Sequence, residues 1–372
     1  RLSDLAKAIH TEGSKLFVQL AHQGRQMSSA ITGSPLLAPS PIASPLYREI
    51  PREMTKEDIE ELVEAYGTAA RRAKQAGCDG VEVHGAHGYL ICTFMSPRSN
   101  KRTDEYGGSL NGRLKFALDI IKGVRAKCGK GFPISFRVSC DEMAEGGLVP
   151  DEVILICRIL ADAGVDALSI SRGSDDYRWY VPPYGHPIAL NADFAGRVKK
   201  LINVPVIVAG RIHDPFVAEN ILEEGKADLI AIGRALIADP DLPRKAQEGR
   251  FEDIIPCIAC NQGCLNGLFT LLRLTCILNA TVGRESEMAL IPAQRRKRVL
   301  IAGGGPGGLE AAIVAAQRGH EVTLCEKAAK LGGQFNLAAV PPRKQEFAKA
   351  IQYLSTQVKK AGVKVELGKE VT

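Results

Sequence analysis

The chain has 372 residues, 45% of them apolar, 24% charged and 5% aromatic. That composition belongs to a folded protein of two or three domains and excludes disorder and collagen-like repeats. Its 48 basic and 42 acidic residues leave a net charge of +6, too mild and too mixed to argue for a nucleic-acid partner.

In chain order, a helical pattern over residues 2–10 feeds directly into an apolar run at 16–20. Further apolar runs follow at 80–84, 133–138, 166–170, 205–209 and 228–232, with helical patterns between them, among them 56–76, 110–127, 151–163 and 214–224. Asp214-Pro215 reads as a helix opening, with Asp as N-cap and Pro in the first turn. The runs are continuous rather than alternating, which predicts strands buried on both faces of a parallel sheet. Polar residues gather where the runs end: Gln19 and His22, His84 and His87, Arg137, Ser171, Arg211 and Arg234. A (β/α)8 barrel builds its site at that edge, and so does a doubly wound sheet, so the pattern alone leaves both open. Six βα units are countable where a barrel has eight, and the simplest expectation is that two N-terminal units are missing.

Residues 251–292 lack the βα period. The longest uncharged stretch, 254–272, carries Asn, Gln, Gly and three Cys, so no membrane span is expected. The basic run at 295–298 reads as a solvated linker. From Arg298 a βαβ pattern resumes and runs to Thr372.

The ten cysteines divide into two kinds. Cys78, Cys92, Cys128, Cys140, Cys157 and Cys325 are scattered through periodic segments, where Cys serves as a small hydrophobe. The other four form Cys257-x2-Cys260-x3-Cys264-x11-Cys276. Four soft thiolates in 20 residues suit a [4Fe–4S] cluster. A zinc site is the alternative, although zinc knuckles are usually paired CxxC or include His, and no His lies here. A redox CxxC would leave two thiols without a use. Clustered ligands and scattered thiols point to a reducing compartment, hence to the cytoplasm.

Two further motifs carry chemistry. Residues 299–308 read Val-Leu-Ile-Ala-Gly303-Gly-Gly305-Pro-Gly-Gly308 and open a helix, and Glu326 ends the next strand 23 residues after Gly303. This is a dinucleotide fingerprint. Gly303 serves the tight turn, Gly305 the approach of a pyrophosphate and Gly308 the helix packing, while Glu326 would accept from the ribose hydroxyls. The second motif is His84-Gly-Ala-His87-Gly-Tyr89 at a strand end. Two neutral imidazoles can donate to one oxygen and a phenol can serve as general acid. Alone, the same residues are equally consistent with buried structural polar groups or zinc ligands.

The residues 17–25 (Phe-Val-Gln19-Leu-Ala-His22-Gln-Gly-Arg25), the His84–Tyr89 motif, the run Arg102-Thr-Asp104-Glu-Tyr106-Gly-Gly108 and Ala231-Ile-Gly233-Arg234 together resemble the Old Yellow Enzyme family. The cysteine cluster and the Gly303 motif extend the resemblance to its iron–sulfur branch, the 2,4-dienoyl-CoA reductase, 2-enoate reductase and trimethylamine dehydrogenase group. The resemblance implies an α/β chain in three parts. Residues 1–250 would be an FMN-binding TIM barrel lacking its first two units, 251–292 a [4Fe–4S] segment, and 293–372 the start of a Rossmann-like FAD/NAD(P)-binding domain. It implies that Gln19 contacts the flavin pyrimidine ring, that Arg137 sits near flavin N1 and O2, and that Gly210, Gly233 and Arg234 hold the FMN phosphate. The Arg102–Gly108 run is expected to stabilise a loop.

In ene-reductases of this kind the pair matching His84 and His87 grips the activating oxygen of an α,β-unsaturated carbonyl, and Tyr89 would protonate the α-carbon. Trimethylamine dehydrogenases are expected to carry Tyr in place of His84, which favours alkene reduction with NAD(P)H over amine oxidation. An oxidative dehydrogenase with an external electron carrier is the runner-up, and a non-catalytic electron-transfer module comes third. Bacterial dienoyl-CoA reductases also use a His in the loop after the 168–171 strand. Here Ser171-Arg-Gly-Ser-Asp175-Asp176-Tyr177-Arg-Trp179-Tyr180 has none before His186, so Asp175 or Asp176 either replaces it or faces solvent. The expected partner is a small unsaturated carbonyl, with neither nucleic acid nor membrane, and a homo-oligomer stays open.

Overall fold

The apolar runs become six strands: Phe17–Leu20, Gly80–Gly85, Ile134–Ser139, Ala167–Ser171, Val206–Ala209 and Leu229–Ala231. They pair in sequence order and all in parallel. A doubly wound sheet reverses its strand order at a switch point. This sheet never does, so it is a curled half-barrel, with helices on its outer face as in a (β/α)8 fold. The computed structural model describes residues 1–175, 181–270 and 272–372. They fall into two units: Arg1–Val181, Ala189–Gly210 and Glu219–Ala231 make one, and Pro182–Ile188, Arg211–Ala218 and Ile232–Thr372 the other.

The central strands are buried on both faces, as expected, and the two faces differ in polarity rather than in burial. Val81, Val83, Phe136, Val138, Leu168 and Ile170 form the buried outer layer. On the other face the register sets Gln19 beside Glu82, His84 beside Arg137, and Arg137 beside Ser169. Successive side chains point to opposite faces, so polar residues at alternate positions, such as Ser135 and Arg137 or Ser169 and Ser171, present a polar interior.

Local signals place the helices. Lys56–Gln75 opens on a capping box in which Thr55 and Asp58 satisfy each other's backbone donors. Pro150–Asp162 begins with Pro in its first turn. Before Pro215–Glu223, the Asp214 carboxylate accepts from the Phe216 N–H at 3.0 Å. Two elements differ from the expected pattern: the short helix Leu90–Met95, whose residues are all buried, and a parallel ladder of Leu37–Ala38 with Arg52–Glu53.

In the second unit three parallel strands, Arg298–Ala302, Glu321–Glu326 and Lys364–Leu367, form a sheet with Glu321–Glu326 in the middle. Helices Pro306–Gln317 and Glu346–Lys360 close its core through Leu309, Ala312, Leu324, Leu354 and Val358. Burying a leucine of this kind contributes roughly 1.5–3 kcal/mol. Among the described residues no helix is long and apolar enough to cross a membrane.

Candidate active site and cofactor-binding residues

His84, next to last in its strand, has 4% of its surface exposed. Its ring lies 5.1 Å from that of His87, at 67°, and 5.1 Å from that of Tyr89, at 55°. The first unit thus brings the three sequence-predicted catalytic residues together. His87 occupies the left-handed region, φ +63, a conformation that costs a non-glycine residue energy and concentrates at functional sites. Hydrogen bonds hold it there: its N–H donates to Ser139 Oγ at 3.0 Å, its carbonyl accepts from Gln26 Nε2 at 2.6 Å, and its Nε2 meets Ser171 Oγ at 2.6 Å. Gly88 follows because a Cβ there would stand 2.4 Å from Asp175 Oδ1.

Burial, reinforced by the Arg137 charge, pushes the His84 imidazole down to about 3 and His87 well below its ordinary value. Both rings are therefore neutral near pH 7, each with one N–H to donate and one acceptor nitrogen. Burial, then Tyr47 and Asp175, push the Tyr89 phenol up, so it keeps its proton. A water-poor pocket with neutral donors and a protonated phenol can stabilise an oxyanion and deliver a proton.

A polar chain runs along the inner face. Gln19 Nε2 donates to Glu82 Oε1 at 2.7 Å, and Ser135 Oγ donates to Glu82 Oε2 at 3.1 Å. Arg137 Nη1 stands 3.9 Å from Glu82 Oε1, and Arg137 Nη2 donates to Ser171 Oγ at 3.3 Å. Ser171 therefore links Arg137 to His87. Two buried atoms, Arg137 Nε and His84 Nδ1, have no partner among the described residues. A flavin ring edge or a substrate oxygen has the chemistry to pair with such atoms, so the residues present fit FMN.

Sequence reasoning missed three contributors. Ser171 appeared only as a polar strand end. Arg25 pairs with Asp175 at 3.1 Å, both nearly sealed from solvent, beneath the His87–Tyr89 turn; Asp175 accordingly does not face solvent. Asp176, Tyr177, Trp179 and Tyr180 lie outside the described residues. The HQGR loop also accepts at His22 O from the Leu90 N–H, 3.0 Å, which ties the two motifs together. The Arg102–Gly108 run is structural, as expected: buried Arg102 donates to Met54 O at 2.6 Å and grips Asp104 with two hydrogen bonds.

Gly210, in the first unit, has φ +132, and a Cβ there would meet Asn191 Nδ2 at 2.7 Å. Gly233 and Arg234 belong to the second unit. A Cβ on Gly233 would meet nothing, leaving its backbone open to a ligand. Arg234 Nη1 donates to Pro182 O at 2.9 Å and Asn261 Oδ1 at 2.7 Å. Beside it lies Arg211, φ +53, which reaches Pro183 O and the Glu346 carboxylate.

The dinucleotide motif behaves as its spacing predicts. Gly303 has φ +103, a Cβ on Gly308 would strike Gly303 O at 2.0 Å, and one on Gly305 would point into open space. The Glu326 carboxylate accepts from the Gly304 N–H at 2.7 Å and the Ala328 N–H at 2.8 Å, which hold it below the usual carboxylate range. Each oxygen keeps a further lone pair for a ribose hydroxyl. The open Gly305 backbone at a helix start fits a pyrophosphate, so these residues fit FAD.

Cys257, Cys260, Cys264 and Cys276 line one small apolar cavity with Arg234, Ile258 and Leu278. Ala259 and Asn261, at φ +50 and +59, turn the intervening backbone inward. The Ala259 N–H donates to the Cys257 sulfur and the Gln262 N–H to the Cys260 sulfur. Among the described residues no three His, Cys, Asp or Glu groups converge closely enough for a single metal ion. Four thiol donors around one small cavity, with no His among them, fit a soft metal group such as an iron–sulfur cluster.

Residues 1–253 match the family model described as NADH:flavin oxidoreductase / NADH oxidase, and residues 298–367 match that of FAD dependent oxidoreductases. An NADH oxidase of Thermoanaerobacter brockii is 44% identical over 98% of this chain and 57% of its own length. A cinnamate reductase of Clostridium sporogenes is 39% identical over 98% of this chain and 58% of its own. The solved structure of a 2-naphthoyl-CoA reductase superposes with a TM-score of 0.96 at 38% identity, covering the whole of this chain and 59% of that one. The chain thus spans little more than half the length of the relatives it matches. It belongs to the NADH:flavin oxidoreductase / NADH oxidase family.

Proposed function

We propose that the protein reduces the C=C bond of an α,β-unsaturated carbonyl, such as an enoate, enoyl thioester or enone, at the expense of NAD(P)H. FMN, FAD and a [4Fe–4S] cluster, when bound, supply the hydride and single-electron transfers between nicotinamide and alkene. The proposal divides the chain into a flavin barrel (1–250), a cluster segment (251–292) and the beginning of the FAD region (293–372). Gln19 and Arg137 hold the FMN ring, and Gly210, Gly233 and Arg234 its phosphate. Cys257, Cys260, Cys264 and Cys276 hold the cluster, and Gly303, Gly305, Gly308 and Glu326 hold FAD. All ten cysteines are free thiols, which suits a reducing cytoplasm.

In this reading His84 and His87 donate hydrogen bonds to the carbonyl oxygen of the substrate. Negative charge grows on that oxygen as the β-carbon is attacked, and pre-aimed neutral donors stabilise it without reorganising. Tyr89 gives its proton to the α-carbon and regains one from solvent. Ser171, fixed by Arg137, keeps His87 aimed. The observation that carries the reading is the convergence of two neutral buried imidazoles and a protonated phenol within ring contact. The test is an anaerobic assay of the full-length protein against enoates, enoyl thioesters and enones, following NADH and NADPH. Alkene-dependent oxidation of either nucleotide is the expected result. Amine-dependent reduction of an external carrier with no alkene turnover would sink the reading.

A further inference from the structure

The second unit holds a cavity of about 300 Å³ whose lining, Cys257 apart, has no functional role above. His213, Phe216, Phe251, Cys257, Lys349 and Tyr353 are among the residues that line it. The volume is that of a small-ligand site. Both nitrogens of His213 are buried with no partner among the described residues. A neutral imidazole has one donor and one acceptor, and leaving both unmade is costly unless a ligand meets them. Burial and the charges of Arg234, Arg211 and Lys349 keep this ring neutral and surround it with positive potential. Lys349 Nζ is only loosely engaged, 3.5 Å from Asp214 Oδ2. The rings of Phe216 and Phe251 lie 4.5 Å apart, and both residues are well exposed. Flat aromatic walls favour a planar ring, and an N–H and an ammonium favour electron-rich oxygens on it. One wall is Cys257, a thiol read above as a cluster ligand.

We infer that this cavity binds a planar quinone-type electron acceptor, with a ring oxygen on His213 and Lys349, beside the cysteine loop. The electron-transfer part rests on the iron–sulfur reading, whereas the binding part does not. The balance is closed. The quinone gains two electrons and two protons as its two C=O groups become C–OH. NAD(P)H supplies the electron pair and one proton in becoming NAD(P)+, and water supplies the other proton. The cations around His213 offset the negative charge that grows on the ring oxygens during reduction.

The probe is 2-hydroxy-1,4-naphthoquinone, an anionic naphthoquinone, titrated by calorimetry into the oxidised full-length protein. His213→Ala should raise its Kd at least tenfold. Gln352→Trp, which plugs the cavity from an exposed helical position, should do the same without disturbing the core. The double variant His84→Ala/His87→Ala should leave the Kd within twofold. NADH-driven quinone reduction should fall at least tenfold in the first two variants, while alkene-dependent NADH oxidation changes less than twofold. The proposal is overturned if the parent does not bind the probe, if both cavity variants bind it as the parent does, or if binding is lost only in the His84/His87 variant, which would put the quinone in the barrel. Iron and acid-labile sulfide assays on the same samples separate the two readings: tight binding without a cluster removes the electron route and keeps the site.

Discussion

The His84–Tyr89 turn and the Cys257–Asn261 loop both store backbone strain, but they are braced differently. Around His87, at φ +63, protein groups occupy the backbone N–H, the carbonyl and the ring: Ser139, Gln26 and Ser171. Around Ala259 and Asn261 the backbone is anchored by Tyr184 N–H to Ala259 O at 3.0 Å and by Arg234 to the Asn261 side chain. Burial pushes the Cys257 and Cys260 thiols up, Cys257 to about 11, against backbone N–H groups such as those of Ala259 and Gln262, which favour the thiolate. Thiols held in that state want a cation to stabilise the thiolate. The first region is pre-organised by the protein, whereas the second, on the proposed reading, is completed by an iron–sulfur cluster. They should fail independently.

The largest effect that follows is in the cysteine loop. Cys260→Ala should abolish NAD(P)H-driven turnover. Turnover with dithionite as reductant should persist if the barrel mouth is independent, and loss of both would mean the two regions are one structural unit. Next comes Tyr89→Phe, which should slow alkene reduction by about 10²–10⁴-fold, the usual cost of a positioned general acid. Stopped-flow traces should show the NADH half-reaction nearly intact, and equal slowing of both half-reactions would make Tyr89 structural.

Acid should separate the regions further. An unfolded imidazole titrates near 6.5 whereas His84 in the fold titrates near 3, so below 6.5 the unfolded chain binds a proton that the folded one refuses. The contribution of His84 to stability is therefore complete above pH 6.5 and is lost as the pH falls toward 3, by up to about 1.4 kcal/mol per pH unit. Urea midpoints at pH 7 and pH 5 should differ in the parent and differ less in His84→Asn, and equal differences would contradict the assigned burial. The smallest effect belongs to Ser171→Ala, expected at about tenfold in kcat, since it frees His87 to rotate without removing a donor. Ser171→Thr should restore much of that loss, and the ring NMR signals of His87 should report the changed tautomer.

What the sequence disclosed follows the range of the forces involved. Strand runs, the Asp214 helix opening and the Gly303 turn are local, so they were readable along the chain. The inward polarity of the half-barrel was hidden because Glu82 and His84, Ser135 and Arg137, and Ser169 and Ser171 sit at alternate positions in short runs that otherwise read as apolar, and their alignment exists only through cross-strand register. Arg25 and Asp175 are 150 residues apart, and no spacing rule joins them. Ser171 looks like any strand-end serine until Arg137 and His87 are folded against it. The His-Gly pair at 87–88 did carry a usable signal, since a glycine after a polar residue often marks left-handed backbone.

The central claim is that His84 and His87 hold one substrate oxygen together. A phenol such as p-hydroxybenzaldehyde presents that oxygen as a phenolate and can be titrated spectroscopically against the oxidised full-length flavoprotein. Each single variant, His84→Ala or His87→Ala, should weaken binding by about 10²-fold or more, in line with the loss of one oxyanion donor. The double variant should lose less than the product of the two, because paired donors act as a unit. A phenol that binds the double variant as tightly as the parent would show that the pair does not hold the oxygen, and the ene-reductase account would fall with it.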